Sequence, residues 1–359
     1  MKTKGAQAFA VASIMTIITG YIACKKGSDD NTSPGKKTDS AIVDPVTITH
    51  GMQLTTSIVG PAGIGISTFT TVPGGTFTGT ALSGWGSLAR TVAKGGEVID
   101  GFTFPEGTVV LQGANITSQL TVNSGWLVLR GCKGGMLLNH PTGNGGGGAA
   151  LYCELTHFNT VGYKDNCQPA AGIVYRCYFP HFGLENVYSD NITVTENWIT
   201  PDPAAAGSDD HIDAIQTWGG QSYLNFSRNH LEFNGPYSQA GGFSGLVAMY
   251  SDGANNNGYE GYDHITIKDN YFVLHSYGIA LHAPLGVAVN NIVVTGNRWK
   301  WADGFDKDYT NAVYRNNSWS MPNYKDKVNG NSWADNKWAD GPYKDQFLLP
   351  NNSTSTTEY

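Results

Sequence analysis

Residues 207–220, GSDDHIDAIQTWGG, place Asp209, Asp210, His211 and Asp213 within five positions. Carboxylates this close on one turn are oxygen ligands of the kind Ca2+ takes, and a histidine beside them can serve as a general base. The residues that follow alternate apolar and polar as a strand does, with Ile215 and Thr217 in phase to point inward and Gln216 and Trp218 outward. The same phasing turns His282 of GIALH outward, leaves Tyr250 near the end of the strand in LVAMYSD, and turns Glu185 of GLENV outward. If these strands stack, Glu185, Gln216, Tyr250 and His282 form a row, with His211 and Asp213 at its rim. The plain alternatives are an Asx-capped turn at Asp209 and Asp210, solvated histidines, and a structural ion pair of Arg228 with Asp269.

Such a row contains the parts of two carbohydrate reactions. Beta-elimination of a uronic acid needs a base near C5 and a cation to neutralise the carboxylate. His211, His282 or Tyr250 could be the base; Arg228, Lys268 or a Ca2+ held by Asp209, Asp210 and Asp213 could be the cation. Substrate contacts would fall to Glu185, Gln216, Trp218, Arg228 and Tyr250. Hydrolysis instead needs two opposed carboxyls, for which Asp213 with Asp210 or Glu185 are candidates.

The elements that must position these residues come from a repeat. NITVTENWI (191–199), YLNFSRNHL (223–231), HITIKDNYF (264–272) and NIVVTGNRW (291–299) each alternate up to an asparagine and resume with an aromatic or aliphatic residue two places later. AVYRNNSW fits the same frame with Asn317. Upstream, IVYRCYF and LVLRGC fit it with Cys177 and Cys132 in the asparagine's place. Cys132 to Cys153 is 21 residues, Cys153 to Cys177 is 24, and Cys177 to Asn197 is 20; the wider gaps are one or two such periods carrying insertions. A period of 20–24 residues made of short strands predicts an all-β solenoid whose coils stack into parallel sheets. In a stack, residues repeating at one corner form a file, and an inward asparagine there can satisfy buried backbone groups. Cys132, Cys153 and Cys177 read as core thiols in that file, with a Cys153–Cys167 disulfide as the rival.

On these motifs the chain resembles the right-handed parallel β-helix proteins of the pectate-lyase-like superfamily over roughly residues 95–320. GEVIDGFTFPEGTVV resembles the opening coils of exported bacterial members, and HIDAIQ resembles a segment common among them. The resemblance implies the fold; the superfamily hosts lyases, hydrolases, epimerases and adhesins, so it leaves the activity open. Residues 41–94, Thr- and Gly-rich, are expected to cap one end and residues 321–359 the other.

Composition narrows the rest. Forty-six glycines, 14% charged residues and 40% apolar residues suit a turn-rich β protein with a sizeable core. Removing residues 1–23, which hold Lys2 and Lys4 and no acid, takes the formal charge from −7 to −9. With no Lys/Arg cluster in view, a nucleic-acid partner is not expected. MKTKGAQAFAVASIMTIITGYIAC has the two lysines, apolar run and small residues of an export signal. Tyr21-Ile22-Ala23-Cys24 resembles a bacterial lipobox, which implies lipidation of Cys24 and a membrane anchor, with residues 24–40 as a tether. The sequence expectation is therefore an exported, outer-membrane, monomeric protein acting on a polysaccharide, more a lyase than a hydrolase, with Ca2+ the one cofactor in prospect. A non-catalytic glycan-binding or scaffold protein is the competing class.

Overall fold

A file of side-chain amides and thiols runs through the interior and sets the positions of the strands around it. In the computed structural model, which describes residues 46–49, 51–139, 146–160, 171–181, 183–187, 190–202, 213–217, 220–232, 245–250, 261–273, 277–282, 289–300 and 330–347, the chain visits three ladders of parallel strands in turn. The first ladder holds Gly75–Thr78, Leu120–Arg130, Met136–Asn139, His157–Thr160, Leu184–Val187, Ile215–Thr217, Gly245–Tyr250 and Tyr277–His282. The second shares Leu120–Arg130 and continues through Gly146–Leu151, Ala171–Tyr175, Ile192–Thr195, Ser222–Ser227, Tyr262–Lys268, Val289–Thr295 and Ser332–Ala334. In the third, Tyr178–Phe179, Trp198–Ile199, His230–Glu232, Tyr271–Val273, Arg298–Lys300 and Lys337–Trp338 lie in sequence.

The turn from the second ladder to the third is the same in every round. A residue with φ between 50° and 73° comes first: Gly131, Tyr152, Arg176, Glu196, Arg228, Asp269, Gly296 or Asp335. The next residue is the interior rung, and the one after it begins the third ladder's outer file. The left-handed turn costs a non-glycine residue about 1–2 kcal/mol, so something must hold it there. The rung does so. Asn229 Oδ1 accepts from the backbone N–H of Asn197 (3.0 Å) and from its Nδ2 (2.9 Å), while Asn229 Nδ2 donates to the Val194 carbonyl (2.9 Å). Asn197, Asn270 and Asn297 repeat the pattern. All four asparagines are fully buried, so each amide satisfies groups that would otherwise be desolvated without partners.

Cysteine takes over the file at its early end. The Cys132 N–H donates to Cys153 Sγ (3.4 Å), the Cys153 N–H to Cys177 Sγ (3.3 Å), and the Cys177 N–H to Asn197 Oδ1 (2.8 Å). All three are buried free thiols, so the expected alternative of a Cys153–Cys167 disulfide is set aside at Cys153. Burial pushes the thiols of Cys132 and Cys153 well above the ordinary range, because a thiolate has no solvation there. Cys24, Cys167 and Asn317 lie outside the described residues. The rung that follows Asn297 is Asn336, whose Oδ1 accepts from the Asn297 N–H at 3.0 Å.

The stack reaches beyond residues 95–320 at both ends. Thr70–Val72 already pairs in parallel with Ala114–Ile116, and Ser332–Ala334 pairs with Val293–Thr295. Inward residues of successive rounds, among them Leu129, Val194, Phe226, Phe272 and Trp299, make one continuous core. Beyond Trp338 the chain turns back, and Phe347 bridges antiparallel to Lys337. Near the beginning, Ala89–Thr91 runs antiparallel to Val109–Gln112, and the hairpin of Glu97–Ile99 and Phe102–Phe104 packs Ile99 and Phe104 on Val110, Val128 and Ala149. Residues 46–49 and 51–67 lie along the third ladder. Their N–H groups at Gly51, Leu54 and Gly60 donate to Asp269 O, His230 Nδ1 and Arg176 O.

Replacing Asn229 by leucine is expected to destabilise the fold by about 2–4 kcal/mol through unpaired buried backbone groups, read as a lowered urea midpoint. Asn197→Cys, which lengthens the thiol run by one rung, should cost less than Asn197→Leu in the same titration. With Cys24 and Cys167 replaced by serine, Cys132, Cys153 and Cys177 should stay unreactive to an aromatic disulfide reagent until the protein is unfolded by guanidinium, when all three label.

Candidate functional site

The first ladder carries Glu185, Gln216, Tyr250 and His282, and its register fixes which of them meet. Ile215, Gln216 and Thr217 pair with Val247, Ala248 and Met249, which pair in turn with Ile279, Ala280 and Leu281. Ile215, Val247, Met249 and Ile279 belong to the core, as the alternation in the sequence requires. Inside the same stretch, the Thr217 hydroxyl lies 2.8 Å from that of Tyr262 on the second ladder.

The expected single row of Glu185, Gln216, Tyr250 and His282 resolves into two files. Gln216 is continued by Ala248 and Ala280, whereas Tyr250 pairs directly with His282 two residues further along the strands. Two residues along a strand are about 6.6 Å, so these are separate backbone files of one ladder. Glu185 lies in Leu184–Val187, where a register shift follows the Leu184–Ile215 pair. Tyr250 and His282 are therefore brought together, with Gln216 nearby and Asp213 two residues ahead of Ile215.

Asp213 and Gln216 are enclosed, at 1% and 8% exposure. An enclosed carboxylate must be met by hydrogen bonds or a cation, or be protonated, so Asp213 is not a solvated turn residue. The Ala214 carbonyl beside it accepts from the Leu184 N–H at 2.8 Å, which ties the entry of this strand to the preceding round. Asp209, Asp210, His211 and Trp218 lie outside the described residues. Among the described residues no group of three or more His, Cys, Asp or Glu side chains could hold a metal ion, so a Ca2+ site here depends on Asp209 and Asp210 joining Asp213.

Arg228 stands apart from this face, at the left-handed corner between the second and third ladders. Its Nε donates to Glu196 Oε1 at 2.8 Å, and Arg176 Nε donates to Glu196 Oε2 at the same distance. Arg228 Nη2 also donates to Thr195 Oγ1 (3.2 Å). The pairing joins successive rounds, as an ion pair of Arg228 with a neighbouring coil was expected to, with Glu196 in the place anticipated for Asp269. Lys268 is likewise at this corner, 3.8 Å from Asp269. Neither cation belongs to the ladder of Tyr250 and His282.

Sequence reasoning missed the outer file of the third ladder, formed by the residue after each rung: Lys133, Glu154, Tyr178, Trp198, His230, Tyr271, Arg298 and Lys337. His230 is fully buried, stacked on Trp198 at 5.4 Å and edge-on to Tyr271 at 5.2 Å. Leu54 N–H donates to its Nδ1 (3.2 Å), and its Nε2 lies 3.1 Å from Glu232 Oε2. Burial pushes the Tyr271 phenol up to about 12. The file was legible as the large residue following each asparagine or cysteine.

The fold defines an all-β protein of stacked parallel strands with an interior polar file. Comparison with family models, with curated proteins and with solved structures gives no match. Among the described residues no helix is long and apolar enough to cross a membrane.

Glu196 bridges two arginines and is 10% exposed, with Arg176 at 6% and Arg228 at 36%. Glu196→Ala should therefore destabilise by about 3 kcal/mol, since it strands the buried Arg176. Arg228→Ala should cost under about 1 kcal/mol and leave any glycan affinity unchanged. Paired unfolding and glycan-binding titrations on the two variants check both outcomes.

Proposed function

We propose that the chain is a right-handed parallel β-helix of the pectate-lyase-like kind, exported and lipid-anchored at Cys24, that cleaves a uronic-acid-containing polysaccharide by β-elimination as a monomer. The observation that carries the reading is the direct pairing of Tyr250 with His282 in the first ladder, one strand beyond Gln216. Stacked strands about 4.8 Å apart repeat along the axis and suit an extended polymer.

In this reading His282, or His211, removes the proton at C5, the electron pair passes into an enolate-like carboxylate and then forms the C4=C5 double bond as the C4–O bond breaks, and the departing oxygen takes a proton from water. The developing charge needs a cation close by. Arg228 is held by Glu196 at another corner, so we assign neutralisation to Ca2+ held by Asp209, Asp210 and Asp213, which would act as a Lewis acid on the carboxylate. Gln216, Trp218, Tyr250 and Glu185 contact the sugar hydroxyls and ring faces.

A panel of uronate polymers, followed by the absorbance of new unsaturated ends, tests this. At least one polymer should give a rising signal that is lost with chelator and restored by Ca2+. His282→Ala should lower the rate by about a hundredfold, and Tyr250→Phe and Asp213→Asn should lower it as well, with the melting temperature unchanged in His282→Ala. New reducing ends without absorbance would replace the lyase with a hydrolase. Polymer binding with neither product would leave a glycan-binding surface protein.

A further inference from the structure

A pocket of about 210 Å³ lies between residues 56–69 and the outer file of the third ladder, away from the ladder of Tyr250 and His282. Its floor is three successive positions of that file, Lys133, Glu154 and Tyr178, joined as parallel bridge partners. Its walls include Pro61, Ile66 and Phe69. Lys133 Nζ is 3.2 Å from Glu154 Oε2 and 5.0 Å from the centroid of the Phe69 ring. The two charged side chains are 37% and 36% exposed.

The lining restricts what can occupy this space. The floor holds one cation beside one anion, so an ion of either sign meets a like charge as near as its partner. A purely apolar ligand would strip water from both groups and return nothing, which is costly. A neutral molecule with adjacent hydroxyls meets both needs: one hydroxyl donates to the Glu154 carboxylate, and its neighbour accepts from the Lys133 ammonium. The apolar walls and the Phe69 ring require that the same molecule also present a C–H face. Pockets for drug-sized ligands run from about 300 to 1,000 Å³, so this one admits a single ring rather than a chain. We propose that it is a binding site for one neutral pyranose unit, separate from the polymer-cleaving face and independent of the reaction assigned there.

Ligand-detected NMR on the full chain, with the methyl glycosides of glucose, galactose and mannose as probes, tests the assignment. At least one glycoside should show saturable binding with a Kd below about 10 mM. Glu154→Ala, which removes the acceptor, should weaken it about tenfold or more. Ser67→Trp, which puts an indole on the exposed Ser67 of the lining, should abolish it. Both positions are solvent-accessible, so melting temperatures near that of the parent chain will show the variants folded; a variant that melts early is replaced by Lys133→Met, for which the same loss is expected. Absence of saturable binding to all three glycosides, or unchanged affinity in the folded variants, overturns the proposal. Uronate cleavage can survive either result, because its residues lie on another ladder.

Discussion

The buried backbone at the corner between the second and third ladders is the constraint on which the rest depends. Each round of chain must turn there around buried rungs, and the N–H and C=O groups at the turn need partners. The asparagine file supplies them along the axis: each amide oxygen accepts from the preceding rung, and each Nδ2 donates both to a carbonyl of that preceding round and to the amide oxygen of the next rung. Because one rung's donor needs the next rung's acceptor, the rounds cannot slide past one another without breaking several bonds at once. That fixes register in all three ladders, and register decides which distant residues become neighbours.

The file is not uniform, and its change of chemistry is physically sensible. Asparagine offers a donor and an acceptor; cysteine offers a weak acceptor for the N–H below and a weak donor for nearby carbonyls. The thiol rungs lie in the early rounds, where the Glu97–Phe104 hairpin adds a second apolar cluster over Val110, Val128 and Leu151. The charged residues Arg176, Glu196 and Arg228 hold the left-handed corner from outside while the amides hold it from inside.

Much of this was legible in the sequence. The asparagines at 197, 229, 270 and 297 announced themselves because each round needs the same amide at the same corner, and Cys132, Cys153 and Cys177 fell into that frame by spacing. Asn336 escaped because Asn317, 20 residues after Asn297, fits the frame in sequence and was read as the next rung, whereas Asn297 bonds directly to Asn336, where NSWADNKW repeats the frame. The alignment of Gln216 with Tyr250 and His282 failed for a different reason. Alternation gives the phase within a strand but not the offset between strands, and the offset here is two residues. The segment before residue 68 was unreadable as a cover for the third ladder: Ile48, Leu54 and Val59 pack with Tyr178 and Trp198 at a spacing that matches neither strand nor helix period, and the backbone N–H groups of Gly51, Leu54 and Gly60 that also attach it leave no side-chain pattern.

The pairing of Tyr250 with His282 joins the amide file to the functional reading, and cross-linking measures it directly. Parallel partners on adjacent strands lie about 4.8 Å apart, within the Cα range a disulfide spans. In a chain with Cys24 and Cys167 replaced by serine, the pair Tyr250→Cys and His282→Cys should form a disulfide under mild oxidation in the folded state. The pair Gln216→Cys and His282→Cys should not. Failure of the first pair to close, or equal closure of both, would contradict the register and the site built on it.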